Sequence, residues 1–160
     1  MNRSWIFPIA LLLVSCAGAK TTEKGPKLSV DLSCGFTHVR DEDQATNPTP
    51  KDCDDIDTEK HGYEIGLSIS LSDGDKTNEG QETKREYFPG SEPKVTIDVD
   101  GQSIPAPKLT SRDFFQGKSY DAEPFVIPDT SKGKTLRVKV ESADERGLKS
   151  NIVDLKIALK

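Results

Sequence analysis

Two thiols, two imidazoles and two runs of carboxylates are the groups outside the N-terminal region that could do chemistry. Cys34 lies near His38, and Cys53 lies near His61. Two thiolates with two imidazoles form a legitimate tetrahedral zinc set. These four residues lack the short Cys-to-Cys spacing that usually builds such a site, so solvated or turn histidines are the default reading. Asp52, Asp54, Asp55, Asp57 and Glu59 form an acidic run, and Asp73, Asp75, Asn78 and Glu79 form a second cluster. Calcium takes dense oxygen ligands from flexible loops. Neither cluster has the EF-hand ligand order with a glycine at its sixth position. Solvated acidic loops are therefore expected, and the first run supplies the metal candidates. Paired carboxylates could also cleave a glycosidic bond. That chemistry needs a cleft to hold them, and these residues lie among turn formers. No Ser/His/Asp set has a recognisable context, and the G-x-S-x-G, P-loop and G-x-G-x-x-G patterns are absent. The expectation is a non-enzymatic protein without a cofactor.

The elements that must position these groups read as strands. From Lys27 onward the dominant signal is alternation with period two, the mark of half-buried strands. Leu28, Val30, Leu32, Cys34 and Phe36 fall on one face, and Tyr63, Ile65, Leu67, Ile69 and Leu71 repeat the pattern. Val95, Ile97 and Val99 form a third strand. Asp100-Gly101 then signals a type I′ hairpin turn, with Ile104 returning opposite Ile97. Phe125 to Ile127, between Pro124 and Pro128, predicts a short edge strand. Leu136, Val138 and Val140 form a further strand, and Val153, Leu155, Ile157 and Leu159 the last. No stretch sustains a helical period, although residues 111–120 could hold one helical turn. Six or seven strands in about 130 residues cannot bury their apolar faces in a lone sheet. Two facing sheets can, which predicts an all-β sandwich, with a barrel as the alternative.

Composition narrows the class. The chain has 160 residues, about one domain's worth. Hydrophobic residues make up 33% and charged ones 31%, which still permits a core. The formal net charge is -5. An acidic chain with its basic residues interspersed among acids argues against a nucleic-acid partner.

The N-terminus explains the odd number of cysteines. Arg3 precedes an apolar stretch from Trp5 to Val14, broken by Pro8. It is shorter than the roughly 20 residues a spanning helix needs, but suits the apolar core of an export signal. Leu13-Val14-Ser15-Cys16 at its end resembles the lipobox of bacterial lipoproteins. The resemblance implies cleavage before Cys16, which leaves residues 1–15 as a signal peptide. It also implies a thioether-linked diacylglycerol on the Cys16 sulfur and an acyl group on the new amino terminus. Ala17, rather than Asp, follows Cys16, which by the same resemblance favours sorting to the outer membrane. Residues 16–26 then hold the lipidated cysteine and a small, polar, flexible tether, and residues 27–160 form the domain. Export to an oxidising compartment makes a Cys34–Cys53 disulfide the natural outcome. Cys16 takes lipid, and the other two cysteines pair.

A second resemblance covers residues 94–159. "VTIDVDGQSI" and "KGKTLRVKVESADERGLKSN" look like the later half of the immunoglobulin-like modules common in bacterial envelope proteins. The matching positions are Val95, Ile97, Val99, Asp100 and Gly101, then Leu136, Val138, Val140, Asp144 and Gly147. The first half departs from that pattern, with long insertions at 37–62 and 72–93. The resemblance implies an immunoglobulin-like β-sandwich of about seven strands. Such a module specifies a scaffold and leaves the ligand open.

The expected protein is therefore held in the outer membrane by its lipid, at the periplasmic face or the cell surface. Its loops would contact an envelope or host protein. Phe114-Phe115 and Tyr87-Phe88 could serve as aromatic anchors for such a partner, or could cap the core. The alternatives are a calcium- or zinc-dependent binding protein or enzyme, and a carbohydrate- or peptidoglycan-binding module. The last is disfavoured because the single Trp lies in the signal segment.

Overall fold

Alternation along the chain becomes two stacked sheets in the computed structural model, which describes residues 25–72, 92–114 and 117–160. The strands are β1 (Lys27–Cys34), β2 (Thr37–Arg40), β3 (Lys51–Cys53), β4 (Gly62–Ser72), β5 (Lys94–Val99), β6 (Gln102–Ile104), β7 (Leu109–Phe114), β8 (Gly117–Ala122), β9 (Phe125–Pro128), β10 (Thr135–Glu141) and β11 (Val153–Leu159). One short helix, α1 (Asp41–Thr46), lies between β2 and β3, and a 3-10 turn, Asp129–Ser131, follows β9. The first sheet has the order β2-β1-β4-β8-β7, with β9 beside β4. The second has the order β3-β11-β10-β5-β6. In chain order, β1, β4, β7 and β8 take the places of strands A, B, D and E of an immunoglobulin sandwich, and β5, β10 and β11 those of C, F and G. The protein is an all-β sandwich with that connectivity.

Register places the expected faces together. Val30 pairs with Ile69, and Ile69 with Tyr120. In the other sheet, Ile97, Val138 and Leu155 form one row, and Val99, Leu136 and Ile157 another. These side chains are almost wholly buried between the sheets. Each buried Leu or Ile contributes about 1.5–3 kcal/mol relative to exposure, so the two rows fix which face turns inward. Ile97 pairs with Ile104 as the sequence predicts. Asp100 and Gly101 both have positive φ, at 48° and 81°, as a type I′ turn requires.

Several details differ from expectation. The described residues contain eleven strands where about seven are expected. Residues 111–114 and 117–120 lie in the antiparallel pair β7–β8 and not in a helical turn, and Tyr120 is drawn into the core opposite Ile69. Phe36 does not continue the inward face of β1. Gly35, at φ 56°, turns the chain first, and Phe36 is 98% exposed. The insertion at 37–62 is structured: it supplies β2, α1, β3 and the first residue of β4.

That insertion covers sheet edges. An unpaired strand edge invites pairing with other chains. The Asp41 carboxylate accepts the Val30 amide at 3.2 Å. The Gln44 side chain satisfies both backbone groups of Lys156 on β11: Nε2 donates to its carbonyl at 2.8 Å, and Oε1 accepts its amide at 3.0 Å. Asn151 does the same for Leu28 on β1, at 2.7 and 3.0 Å. On the opposite side, the three-residue β6 is followed by Pro105 and Pro107, a blunt end by a different route.

Candidate functional site: the disulfide-stapled end

One end of the sandwich gathers most of the residues that the sequence marks for chemistry. β1 arrives there with Cys34, and β3 arrives with Cys53. Their sulfurs form a disulfide that joins the first sheet to the second, and both residues are wholly buried. The paired thiols remove the proposed Cys34/His38/Cys53/His61 zinc set. His61 is exposed, with a left-handed φ of 52°. His38 points Nδ1 at Asp31 Oδ1, 3.0 Å away, and Asp31 Oδ2 also accepts from Arg40 Nε at 3.2 Å.

Further bonds fix the same end. The buried Tyr63 donates its hydroxyl to the Lys160 carbonyl at 2.7 Å, and the Lys160 amide donates to the Cys53 carbonyl at 2.8 Å. Burial raises the Tyr63 pKa, with Asp129 adding to the effect. Thr37 Oγ1 donates to the Asp52 carbonyl at 3.1 Å, so residues 52–55 run beside the β1–β2 turn.

The five carboxylates of the acidic run do not converge. Asp52 lies on β3 with Lys160 Nζ 3.7 Å away. Asp54 and Glu59 are exposed. Asp57 caps its own turn, accepting the amides of Glu59 and Lys60 at 2.9 and 3.0 Å. The Lys60 amide is the largest influence holding its pKa below the usual carboxylate value, against the opposing effect of desolvation. Asp55 covers Gly35, where a Cβ would overlap its carboxyl group. Among the described residues, no three His, Cys, Asp or Glu side chains are grouped to hold a metal ion. Asp73, Asp75, Asn78, Glu79, Tyr87, Phe88 and Phe115 lie outside the described residues, as does the Phe114 side chain.

The β1–β2 turn is the exposed feature of this end. Cys34 pairs with Thr37, leaving Gly35 and Phe36 as a two-residue loop. Only Gly35 has positive φ, the pattern of a type II′ turn. Such a turn needs its glycine, but it needs no aromatic residue at the next position. Phe36 nevertheless stands there with its ring in solvent. Strand alternation, extended through Gly35, hides this turn in the sequence. A Cys-Gly-Phe-Thr turn signal was available.

A second charged assembly lies at the opposite end, between β10 and β11. Asp144 is buried, and its Oδ1 accepts the amides of Arg146 and Leu148, each at 2.9 Å. Its Oδ2 accepts from Arg146 Nε at 2.7 Å. Burial pushes its pKa up, but the Leu148 amide and the Arg146 guanidinium outweigh that and hold it below the usual value. Asp144 thus organises the turn that carries Gly147, at φ 79°. Gly25 sits against this turn, where a Cβ would collide with the Lys149 carbonyl, and the neighbouring Pro26 is buried. The chain therefore enters the sandwich at the end away from the disulfide.

Among the described residues, no helix is long and apolar enough to cross a membrane. No protein-family model, curated protein or solved structure matches the chain.

Proposed function

We propose that this chain is a lipid-anchored cell-envelope protein that acts, without catalysis, as a protein-interaction module. The observation that carries the reading is Leu13-Val14-Ser15-Cys16 at the end of a short apolar stretch with a basic flank. Three acyl chains at Cys16 would make a lasting anchor, since one chain alone binds a bilayer marginally. The Cys34–Cys53 disulfide supports the reading, because such bonds persist in oxidising compartments. A sandwich with shielded edges and exposed turns suits a binding scaffold. The partner is an envelope or host protein, met at the periplasmic face or the cell surface of the outer membrane.

Membrane fractionation tests the anchor. Wild type should partition with outer-membrane vesicles and resist extraction by high salt. Cys16→Ser should leave the processed anchor unmade and lose the lipid-modified form. Equal partitioning of both proteins, with masses that differ only by the exchange of sulfur for oxygen, would overturn the reading.

A further inference from the structure

The point where the chain enters the sandwich and the stapled end lie at opposite poles. The chain enters at Gly25 and Pro26, beside the turn organised by Asp144. β1 then runs eight residues to Cys34, a span of about 25 Å at roughly 3.3 Å per residue. If Cys16 is held in a bilayer, the Gly35-Phe36 turn is carried on the far side of the domain. This orientation rests on the proposed anchoring; the surface itself does not.

The turn combines three properties. Phe36 is 98% exposed, and the fold gains nothing from an aromatic residue at that place. Its base is fixed by the Cys34–Cys53 disulfide and by the Thr37 bond to Asp52, so little conformational freedom remains to be lost on binding. Two carboxylates border it: Asp55 lies over Gly35, and the exposed Asp54 directly follows the disulfide, while the nearby Lys51 and Lys160 are paired with Asp43 and Asp52. Aromatic residues, Phe among them, are enriched in protein–protein interfaces. The acidic border selects the occupant, because an anionic lipid surface would be repelled by these carboxylates, and a cationic protein rim would be attracted.

We infer that Phe36 is the anchor of a docking surface that inserts into an apolar socket on a partner protein, with Lys or Arg residues of that socket facing Asp54 and Asp55. The partner is a folded protein, and the contact is made by the pole opposite the tether.

The test is site-specific photo-crosslinking in intact cells, using the full chain with benzoylphenylalanine at position 36. Position 110 on β7 and position 152 near the tether serve as controls; both are exposed. The expected result is one polypeptide adduct from position 36, absent from 110 and 152. Its crosslinked peptide should map to an apolar pocket bordered by Lys or Arg. Asp54→Lys with Asp55→Lys should lower the yield about tenfold, because like charges then face each other across the contact. The melting temperatures of this variant and of Phe36→Ala should match wild type, because these side chains are exposed. Lipid adducts alone, no adduct, the same adduct from position 110, or a yield indifferent to the charge reversal would overturn the inference. Fractionation of the same cells separates the two claims. A released protein that still crosslinks through position 36 defeats only the anchor, and an anchored protein that does not crosslink defeats only the docking surface.

Discussion

Opening the Cys34–Cys53 bond should destabilise the domain by a predictable amount. The bond spans 19 positions in sequence. For a loop of that length, the chain-entropy relation gives about 3 kcal/mol, through the freedom that the crosslink removes from the unfolded chain. In the folded state, the two segments remain attached by other means. Thr37 still bonds Asp52, Lys51 Nζ still reaches the His38 carbonyl at 2.9 Å, and β3 still lies parallel to β11. The native structure should therefore survive, and the loss should come mainly from the unfolded state. Two variants separate the causes. Cys34→Ala with Cys53→Ala removes both the crosslink and two buried sulfurs, whereas reduced wild type keeps the sulfurs. Urea unfolding followed by circular dichroism is the assay. With m near about 2 kcal/mol/M, the midpoint should fall by about 1.5 M for the reduced protein and somewhat more for the double variant. The m value should rise in both, because the freed chain exposes more surface on unfolding. A midpoint shift below about 0.3 M with unchanged m would refute the argument. It would mean that the staple constrains neither state.

Two further predictions concern bonds made far from that end. Asp144→Asn should cost about 1–3 kcal/mol at pH 7, because the amides of Arg146 and Leu148 and the Arg146 guanidinium lose a buried, charged acceptor. The folded pKa of Asp144 lies below its unfolded value, so its contribution is complete above about pH 4 and is lost as pH falls through the folded pKa. Wild type and Asp144→Asn should therefore converge in acid, and a gap that stayed constant from pH 7 to pH 2 would contradict this. Gln44→Ala should leave both backbone groups of Lys156 without their partner and cost about 1–3 kcal/mol. Hydrogen exchange at the Lys156 amide should speed up in that variant, and unchanged protection would show that the side chain does not shield the β11 edge.

The long strands were legible because their period is local. Tyr63 to Leu71 alternates without a break, and all five apolar members are buried. The Asp100-Gly101 turn was equally readable, since the two residue types themselves supply the positive φ. The segment from 35 to 53 was not. β3 is only three residues long and pairs in parallel with a strand about a hundred residues later, so nothing near Lys51 announces it. Gln44 reads as an ordinary polar residue until β11 is placed beside it, 112 residues away in sequence. Asp41, Glu42 and Asp43 do favour a helix start through the macrodipole, but six residues are too few to show a period. The Cys34–Cys53 pairing followed from the compartment that the N-terminus implies. Phe36 falls on the outer side because Gly35 reverses the chain before it, which strand period alone does not show. The acidic run is visible as composition, yet only the fold separates Asp57, which caps its own turn, from Asp55 over Gly35 and Asp54 exposed beside Cys53.

The proposed anchor requires that Cys16 carry lipid and begin the mature chain. Mass spectrometry of the native N-terminal peptide, purified from membranes, tests it most directly. The expected peptide starts at Cys16 and carries a diacylglycerol thioether and an acylated amino terminus. An unacylated peptide that begins at Met1 would contradict it.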